Sequence, residues 1–256
     1  MISLKTKEEV AEMREAGRIV ARVHEAMREL IRPGVTTAAL NARAEEVIRS
    51  HDAIPTFLGY PHTGKNDFPA SICASINEEL VHGIPTNDRW LETGDIISID
   101  VGATFKGWVG DSAWTYPVGE IDEASRRLLE TTEGSLWAAI AQARVGNRLA
   151  DISHAVEQYV TERKLAVVRE YTGHGVGHHM HEDPQVLNYV PAGAGRGPRL
   201  LAGMTLAIEP MVNIGTWRTR VLGNGWTVVT ADGKRSAHFE HTIAITDGEA
   251  QILTAL

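Results

Sequence analysis

Two aspartates in the middle of the chain could meet across a β-hairpin. Asp100 and Asp111 lie in strand-like segments on either side of a short turn. If Phe105 and Lys106 form the turn, the aspartates pair directly, whereas a turn at Lys106 and Gly107 makes them diagonal neighbours. Because side chains alternate along a strand, both registers place the carboxylates on one face. Like charges so close repel, which favours a cation between them; the alternative is a hairpin edge with both acids in water.

Two glutamates also interrupt apolar strand patterns. Glu209 lies within Leu-Ala-Ile-Glu-Pro-Met-Val, and Glu240 lies within His-Phe-Glu-His-Thr-Ile. Burying a carboxylate without a partner costs several kcal/mol. The strand segments that hold the four acids offer few basic partners, namely His238, His241 and Lys106. This shortage favours a multivalent cation over a set of structural ion pairs.

A glycine-rich segment supplies a candidate nitrogen ligand. Four histidines lie between Thr172 and Glu182, and glycines flank the first of them, His174. Glycine allows close approach of the backbone, which would let this imidazole project into a cleft. Four carboxylates and one imidazole suit two divalent ions, with Mn²⁺, Fe²⁺ or Co²⁺ at least as suitable as Zn²⁺. Two such ions can activate a water molecule, so the pattern predicts hydrolytic chemistry.

The elements that would position these residues follow the order helix, helix, strands, and then the same order again. Thr6 and Glu9 have the spacing of a capping box, Pro33 and Gly34 end the first helix, and residue 36 or 37 can cap the second. Further helices are predicted at 122–144 and 151–164, and strands at 71–76, 96–101, 108–118, 166–168, 205–212, 226–230, 238–246 and 251–253. Segregated helices and strands predict an α+β domain over residues 1–256 with antiparallel strands backed by helices.

Composition narrows the function classes. The chain has 33 acidic and 25 basic side chains, for a formal charge of −8, which argues against direct nucleic-acid binding. A single cysteine, Cys73, excludes a disulfide within the chain. No apolar run is long enough for a membrane span or a signal peptide, so we expect a cytoplasmic protein with no membrane contact.

Five ordered motifs resemble type I methionine aminopeptidases over nearly the whole chain. They are Ser75–Pro85 (Ser-Ile-Asn-Glu-Glu-Leu-Val-His-Gly-Ile-Pro), the hairpin of Asp100 and Asp111, the segment from Gly173 to Pro184, Ile-Glu-Pro-Met at 208–211, and Phe-Glu-His-Thr at 239–242. The resemblance implies the pita-bread fold, a pseudo-twofold antiparallel sheet backed by helices with a metal site in the central cleft.

The resemblance also assigns metal ligands. Asp111 and Glu240 would bridge two divalent ions (Co²⁺, Mn²⁺, Fe²⁺ or Zn²⁺), Asp100 would complete one site, and His174 with Glu209 the other. Glu209 would in addition accept a proton from the attacking water.

Further residues are assigned to the substrate and to a monovalent cation. His82 would hydrogen-bond the substrate near its amino terminus, and His181 would polarise the scissile carbonyl or hold the following amide. The methionine pocket would be formed by Tyr60, Phe68, Cys73 and Trp226, although a small buried hydrophobe is an equal reading of the cysteine. A site for Na⁺ or K⁺ would include Asn77 and Ser236.

The implied function is metal-dependent removal of the initiator methionine from chains with a small second residue. Nascent polypeptide N-termini would be the substrates, the ribosome is a candidate transient partner, and a monomer is expected. Two alternatives stay open: a proline-directed pita-bread peptidase of the aminopeptidase P or prolidase type, and a non-catalytic member that binds peptides or ribosomes. The segment 61–67 departs from the common bacterial pattern, which leaves the role of His62 open.

Overall fold

The computed structural model describes residues 2–62 and 66–256 as helices and short antiparallel strands. The helices of this part are α1 (Lys7–Leu30), α2 (Thr37–Ser50), α3 (Glu123–Gln142) and α4 (Leu149–Glu162). The strands are β1 (Ile54–Pro55), β2 (Cys73–Ile76), β3 (Glu79–Val81), β4 (Ile96–Phe105), β5 (Trp108–Pro117), β6 (Ala166–Val167), β7 (Gly173–Gly175), β8 (Glu182–Val186), β9 (Thr205–Ile208), β10 (Met211–Asn213), β11 (Thr219–Val221), β12 (Val228–Thr230), β13 (Ser236–His238), β14 (His241–Ala244) and β15 (Gln251–Ile252). The predicted α+β class with antiparallel strands is confirmed.

The first two helices begin where the sequence predicted. The hydroxyl of Thr6 accepts from the backbone of Glu9, whose carboxylate accepts from the backbone of Thr6, which completes the capping box. Thr36 rather than Thr37 caps α2 through a bond from the backbone of Ala39. Such caps satisfy amide groups that the first helical turn leaves without intrahelical partners.

Each half of the chain has its own apolar core. In the first half, α1 and α2 cover β2 and β4 through residues such as Val20, Leu40 and Ile99. In the second half, α3 and α4 cover β9 and β14 through residues such as Leu136 and Ile243. The repeated order of helices and strands therefore corresponds to two similar layers, and the cleft lies between them.

The hairpin of β4 and β5 turns at Lys106 and Gly107. Phe105 pairs with Trp108, so Asp111 pairs with Gly102 and not with Asp100. Of the two registers left open by the sequence, the structure shows the diagonal one. Lys106 and Gly107 both have positive φ, at 50° and 83°, and this conformation matches the tight turn of a two-residue hairpin.

A seam of hydrogen bonds joins this hairpin to the second half. The backbone N–H of Glu240 donates to Ala113 at 2.7 Å, and the hydroxyl of Ser112 donates to the carbonyl of Glu240 at 2.6 Å. The hydroxyl of Thr242 donates to the carbonyl of Asp111 at 2.7 Å and lies 3.2 Å from the backbone N–H of the same aspartate. The two acids are thereby fixed side by side by backbone contacts.

Two long strands predicted around the glutamates are each interrupted. The predicted strand 205–212 divides at Glu209 and Pro210, and the predicted strand 238–246 divides before β14 at Glu240. Proline has no N–H to donate to a neighbouring strand, which explains the first break. The pairs on either side, Ile208 with His241 in one sheet and Met211 with His238 in another, leave the two glutamates facing each other across the break.

Five short strands were not predicted: β1, β3, β7, β8 and β11. They contain two to five residues each. In β7 glycine occupies both end positions, and glycine is depleted in strands. Sequence periodicity is therefore weak in these segments.

In the part of the chain that the structure describes, no helix is both long and apolar enough to cross a membrane.

Helix α1 lies directly against β5 at two glycines. A Cβ atom on Gly110 would stand 2.6 Å from the backbone nitrogen of Gly17 and 2.7 Å from its Cα. These are backbone atoms, so relief requires the helix to move. The close contact holds α1 against the strand that carries Asp111.

We predict that Gly110→Ala destabilises the metal-free protein by about 1–3 kcal/mol through overpacking. Gly223→Ala is the matched control, because a Cβ there meets no atom within 4 Å. Urea unfolding of both variants checks the prediction. Equal stability of the two variants would show that α1 can shift without cost.

Candidate metal centre and substrate cleft

Acidic and imidazole groups from both halves converge at the base of the cleft. Donor atoms of Asp111, His174 and Glu240 all lie within 4.8 Å of one another. Nε2 of His174 is 3.5 Å from Oδ2 of Asp111 and 3.4 Å from Oε1 of Glu209. Asp100 lines the same cavity. The five residues predicted as metal ligands are therefore brought together from three strands, β4, β5 and β7, and from the two strand breaks that hold Glu209 and Glu240.

Several of these carboxylate oxygens are buried without a hydrogen-bond donor. Within the described residues, Oδ1 of Asp100, Oδ1 of Asp111 and Oε1 of Glu240 have no hydrogen-bond partner. Buried polar atoms in native proteins are nearly always paired, so three unpaired oxygens around one point call for a ligand. Anionic oxygens together with one imidazole are a donor set that suits divalent first-row metals. The residues therefore fit the divalent metals that the sequence predicted.

Burial and mutual repulsion disfavour charge on two of these acids. Burial, and then the charges of Asp111 and Glu209, raise the pKa of Asp100 well above its ordinary value. Burial and the same neighbouring acids likewise raise the pKa of Glu240, with a further contribution from Asp100. Without a cation, these groups reach a stable state by holding protons. A divalent ion would replace those protons with its own charge.

His174 is presented to the cleft by its neighbouring glycines, as the sequence predicted. A Cβ on Gly173 would lie 2.4 Å from the carbonyl oxygen of Ala207, and one on Gly175 would lie 2.2 Å from that of Asp183. Nδ1 of His174 lies 2.9 Å from the carbonyl oxygen of Gly175, so this nitrogen is the donor. Nε2 is then the ring nitrogen available as a ligand.

The carboxylates also change the protonation of His174. Burial lowers its pKa, but the hydrogen bond that its ring donates to Asp111 and the charges of Glu209 and Asp111 outweigh burial and raise the pKa to about 9. This imidazole therefore carries a proton on both nitrogens when no metal is bound. Metal binding requires release of one proton, which makes the affinity of the site dependent on pH.

The remaining predicted substrate residues line one cavity of about 200 Å³, which the five predicted metal ligands also line. Its walls include Tyr60, Phe68, Cys73, His82 and Trp226, together with His181. The rings of Phe68 and Trp226 meet edge to face, with centroids 5.2 Å apart. Cys73 pairs directly with Asp100, which explains why its thiol faces the cleft. Burial first, and then the charges of Asp100 and Asp111, raise the pKa of this thiol well above its usual range.

Two histidines, His82 and His181, line this cavity. Nδ1 of His181 is 2.6 Å from the hydroxyl of Tyr60, and its ring centroid is 4.4 Å from that of His174. His82 has a positive φ of 59°, and its ring makes edge contacts with Tyr171 and Trp226. Burial lowers the pKa of His82 to about 4, and burial also lowers the pKa of His181. Both imidazoles are therefore neutral at pH 7, and each can donate one hydrogen bond.

The residues predicted to hold a monovalent cation lie beside each other. The backbone N–H of Ser236 donates to the carbonyl of Asn77 at 2.8 Å. The amide side chain of Asn77 donates to Asp95 at 2.7 Å and accepts from the backbone of Ile96 at 3.1 Å. The cation site stays a prediction.

Sequence reasoning did not assign roles to several cavity residues. His238 lies 3.6 Å from Glu209 and 4.0 Å from Glu240 through Nε2, and within the described chain neither of its ring nitrogens has a hydrogen-bond partner. Its position two residues before Glu240 indicates that it faces the same cavity, because alternate residues of a strand share a face. Phe57 and Met180 add apolar walls.

The segment whose role was left open lies at the rim. The ring of His62 meets Trp226 edge to face at 4.7 Å, and the indole N–H of Trp226 donates to the carbonyl of Asn66 at 2.9 Å. Residues 63–65 fall outside the described part. The described ends of this segment thus contact the aromatic wall of the cavity.

Comparison with known proteins agrees with this geometry. Residues 11–247 match the profile of metallopeptidase family M24. Methionine aminopeptidase 1 of Bacillus subtilis strain 168 is 55% identical over 254 residues, covering 99% of each chain. The crystal structure of methionine aminopeptidase from Thermotoga maritima has a TM-score of 0.95 and 44% identity, with full coverage of both chains. The chain belongs to metallopeptidase family M24.

Within this family, the similarity over full length is to methionine aminopeptidases. Prolidase from Pyrococcus furiosus has a TM-score of 0.77 but 22% identity, and this chain covers 65% of it. That second likeness concerns the fold alone. The resemblance inferred from the five motifs is confirmed, and so is the pita-bread fold that it implied.

Glu240→Gln should stabilise the metal-free protein and should abolish the rise in stability that Mn²⁺ produces in the wild type. The amide is neutral without taking up a proton, so we expect a gain of about 1–3 kcal/mol in the free energy of unfolding at pH 7. The raised pKa of Glu240 means that the wild type binds a proton on folding. The wild type should therefore become less stable relative to the variant as pH rises above the ordinary pKa of glutamate, and the difference should shrink below that pH.

Urea unfolding at several pH values, with and without Mn²⁺, measures both effects. Glu249→Gln, at an exposed position, is the matched control. A metal-free Glu240→Gln protein that is less stable than the wild type would contradict the repulsion, and an unchanged rise in stability with Mn²⁺ would contradict the ligand role.

Proposed function

We propose that this protein is a metal-dependent aminopeptidase that removes the initiator methionine from polypeptides with a small second residue. The observation that carries the proposal is the combination of converging buried carboxylates with an adjoining apolar cavity. The acids define a site for divalent ions, and the cavity accepts an apolar side chain beside it. Full-length similarity to methionine aminopeptidases supports the same activity.

The predicted ligand set is our proposal for the metal centre. Asp100, Asp111, His174, Glu209 and Glu240 would hold two divalent ions, with Co²⁺, Mn²⁺, Fe²⁺ and Zn²⁺ as candidates. Such ions supply acidity to water and charge stabilisation to the reacting carbonyl. Glu209 would accept the proton of the attacking water and transfer it to the leaving amine. This residue is suited to the role because it lies at a strand break at the cavity wall, where its carboxylate faces two imidazoles at 3.4 and 3.6 Å.

The two neutral histidines would bind the peptide around the scissile bond. His181 would donate from Nε2 to the carbonyl oxygen, since its Nδ1 faces the hydroxyl of Tyr60. His82 would bond the substrate near its amino terminus. The N–H group of a neutral imidazole can donate to the oxygen on which negative charge develops.

The lining of the cavity supports a pocket for methionine. Tyr60, Phe68, Cys73 and Trp226 would enclose the thioether, and sulfur makes favourable contacts with aromatic rings. Asn77 and Ser236 would support the wall by holding Na⁺ or K⁺.

We also propose that residues 1–256 act as one catalytic domain and as a monomer. Both halves of the chain supply walls of the cavity, so a partner subunit is not needed to complete it. Initiator methionine is exposed where translation takes place, which supports a cytoplasmic location and nascent chains as substrates. Transient contact with the ribosome would bring the cleft to these chains.

Purified protein with Mn²⁺ should hydrolyse Met-Ala-Ser and leave Xaa-Pro peptides intact. A proline-directed peptidase would show the reverse preference, and a non-catalytic peptide-binding protein would hydrolyse neither. The activity is measured as the amount of free methionine released, quantified by chromatography. Treatment with a chelator should abolish turnover, and Mn²⁺ should restore it; full turnover after verified metal removal would contradict the proposal.

His181→Ala should lower kcat for Met-Ala-Ser by about 10²–10³-fold, because removal of one donor to a developing oxyanion has this effect. Substrate affinity should change little, since the interaction strengthens in the transition state. Steady-state kinetics at equal metal content measures both constants. His154→Ala, on the exposed face of α4, is the control. Unchanged kcat in the His181 variant would remove this residue from the reaction.

A further inference from the structure

A buried ion pair lies behind the wall of the cleft. Nζ of Lys5 is 2.6 Å from Oε2 of Glu182, and their side chains are only 4% and 16% exposed. Lys5 belongs to the segment before α1, so the pair joins the start of the chain to a residue 177 positions later. Buried pairs of this kind contribute little net stability compared with apolar side chains of the same size. The position of the pair is more informative, because Glu182 directly follows His181.

Glu182 closes the turn that carries His181. Its Oε1 accepts a hydrogen bond from the backbone N–H of His179 at 3.2 Å. Within the same turn, the N–H of Gly177 donates to the carbonyl of His179 at 3.1 Å, and the carbonyl of Gly177 accepts from Val109 at 2.9 Å. The turn is therefore attached to β5 at one end and closed by a carboxylate at the other.

Lys5 is itself held in place. Its backbone N–H donates to the carbonyl of Gly203 at 2.8 Å. Gly203 has a φ of 91°, and a Cβ there would lie 2.5 Å from the carbonyl oxygen of Lys5. On the other side, a Cβ on Gly177 would lie 2.7 Å from Cε of Lys5 and 2.5 Å from Oε1 of Glu182. The side chain of Lys5 thus packs directly against Gly177.

Glu182 is ionised in this setting. Burial raises its pKa, but the hydrogen bonds from Lys5 and from the backbone of His179 outweigh burial and lower it below the ordinary value. Removing Lys5 would leave a buried carboxylate without its counter-charge. That carboxylate would turn toward solvent, and the turn would lose its closing contact.

We infer that Lys5 and Glu182 are positioning residues that hold the imidazole of His181 in place for the reaction. The inference rests on the role given to His181 under the proposed function. In the wild type, the fixed turn keeps Nδ1 of His181 against the hydroxyl of Tyr60 and directs Nε2 into the cleft. A displacement of about 1 Å at such a group can reduce a rate by about 10²-fold.

A double-mutant cycle on the Mn²⁺-loaded enzyme tests this inference. Lys5→Met removes the charge and keeps the length of the side chain. It should lower kcat for Met-Ala-Ser by about 10–100-fold with KM within about twofold. In the His181→Ala background, the same change should alter kcat by less than about twofold, because the group being positioned is absent. If Lys5→Met does not fold, Glu182→Gln takes its place in the same double-mutant cycle.

Lys7→Met is the matched control. Lys7 is exposed and lies two residues further along the chain, so its substitution should leave kcat unchanged. Metal content and thermal unfolding are measured for every variant, to confirm that each is folded and loaded at the assay temperature. Equal losses from Lys5→Met with and without His181 would overturn the inference and leave the role of His181 intact. A His181→Ala variant with wild-type kcat would overturn that role and the inference with it.

Discussion

The structure depends on a set of backbone and hydroxyl hydrogen bonds that hold acidic side chains together against their mutual repulsion. The bonds between β5 and the chain entering β14 connect the two halves at the residues Asp111 and Glu240. Because these bonds use main-chain groups and two hydroxyls, the carboxylates take no part in holding the strands and stay available as ligands. These contacts between the two halves thus hold buried acids close together at a cost in free energy, and a divalent ion would offset that cost.

The same constraint explains the interruptions of the strands. A continuous strand through Glu209 would point alternate side chains away from the cleft, and Pro210 prevents that continuity. The chain changes sheets at this point and again before Glu240, so both glutamates reach the space between the layers. The glycines around His174 serve a comparable purpose, because they let β7 lie close to both of its neighbouring strands. Positions that disfavour regular structure are thus the positions that carry the chemistry.

Residue types and local spacing were sufficient to predict the helices, the hairpin and the convergence of four acids, which line one cavity. Like charges on one strand face and carboxylates without basic partners are visible in the sequence, since both follow from period and composition. The register of the hairpin was not decided, because one turn residue more or less is compatible with the pattern around Phe105. The pairing of Cys73 with Asp100, and the contact of Lys5 with Glu182, depend on packing between distant segments. No local sequence pattern encodes such contacts, so only the structure reveals them.

Cys73 illustrates how the acidic surroundings affect a residue outside the proposed chemistry. Its thiol lies on the cavity wall, and burial and the nearby aspartates hold it in the protonated form. Peroxides and alkylating agents react with thiolates and far more slowly with thiols. In the metal-free protein this thiol should therefore react slowly with peroxides and alkylating agents, even though its sulfur atom lies on the cavity wall.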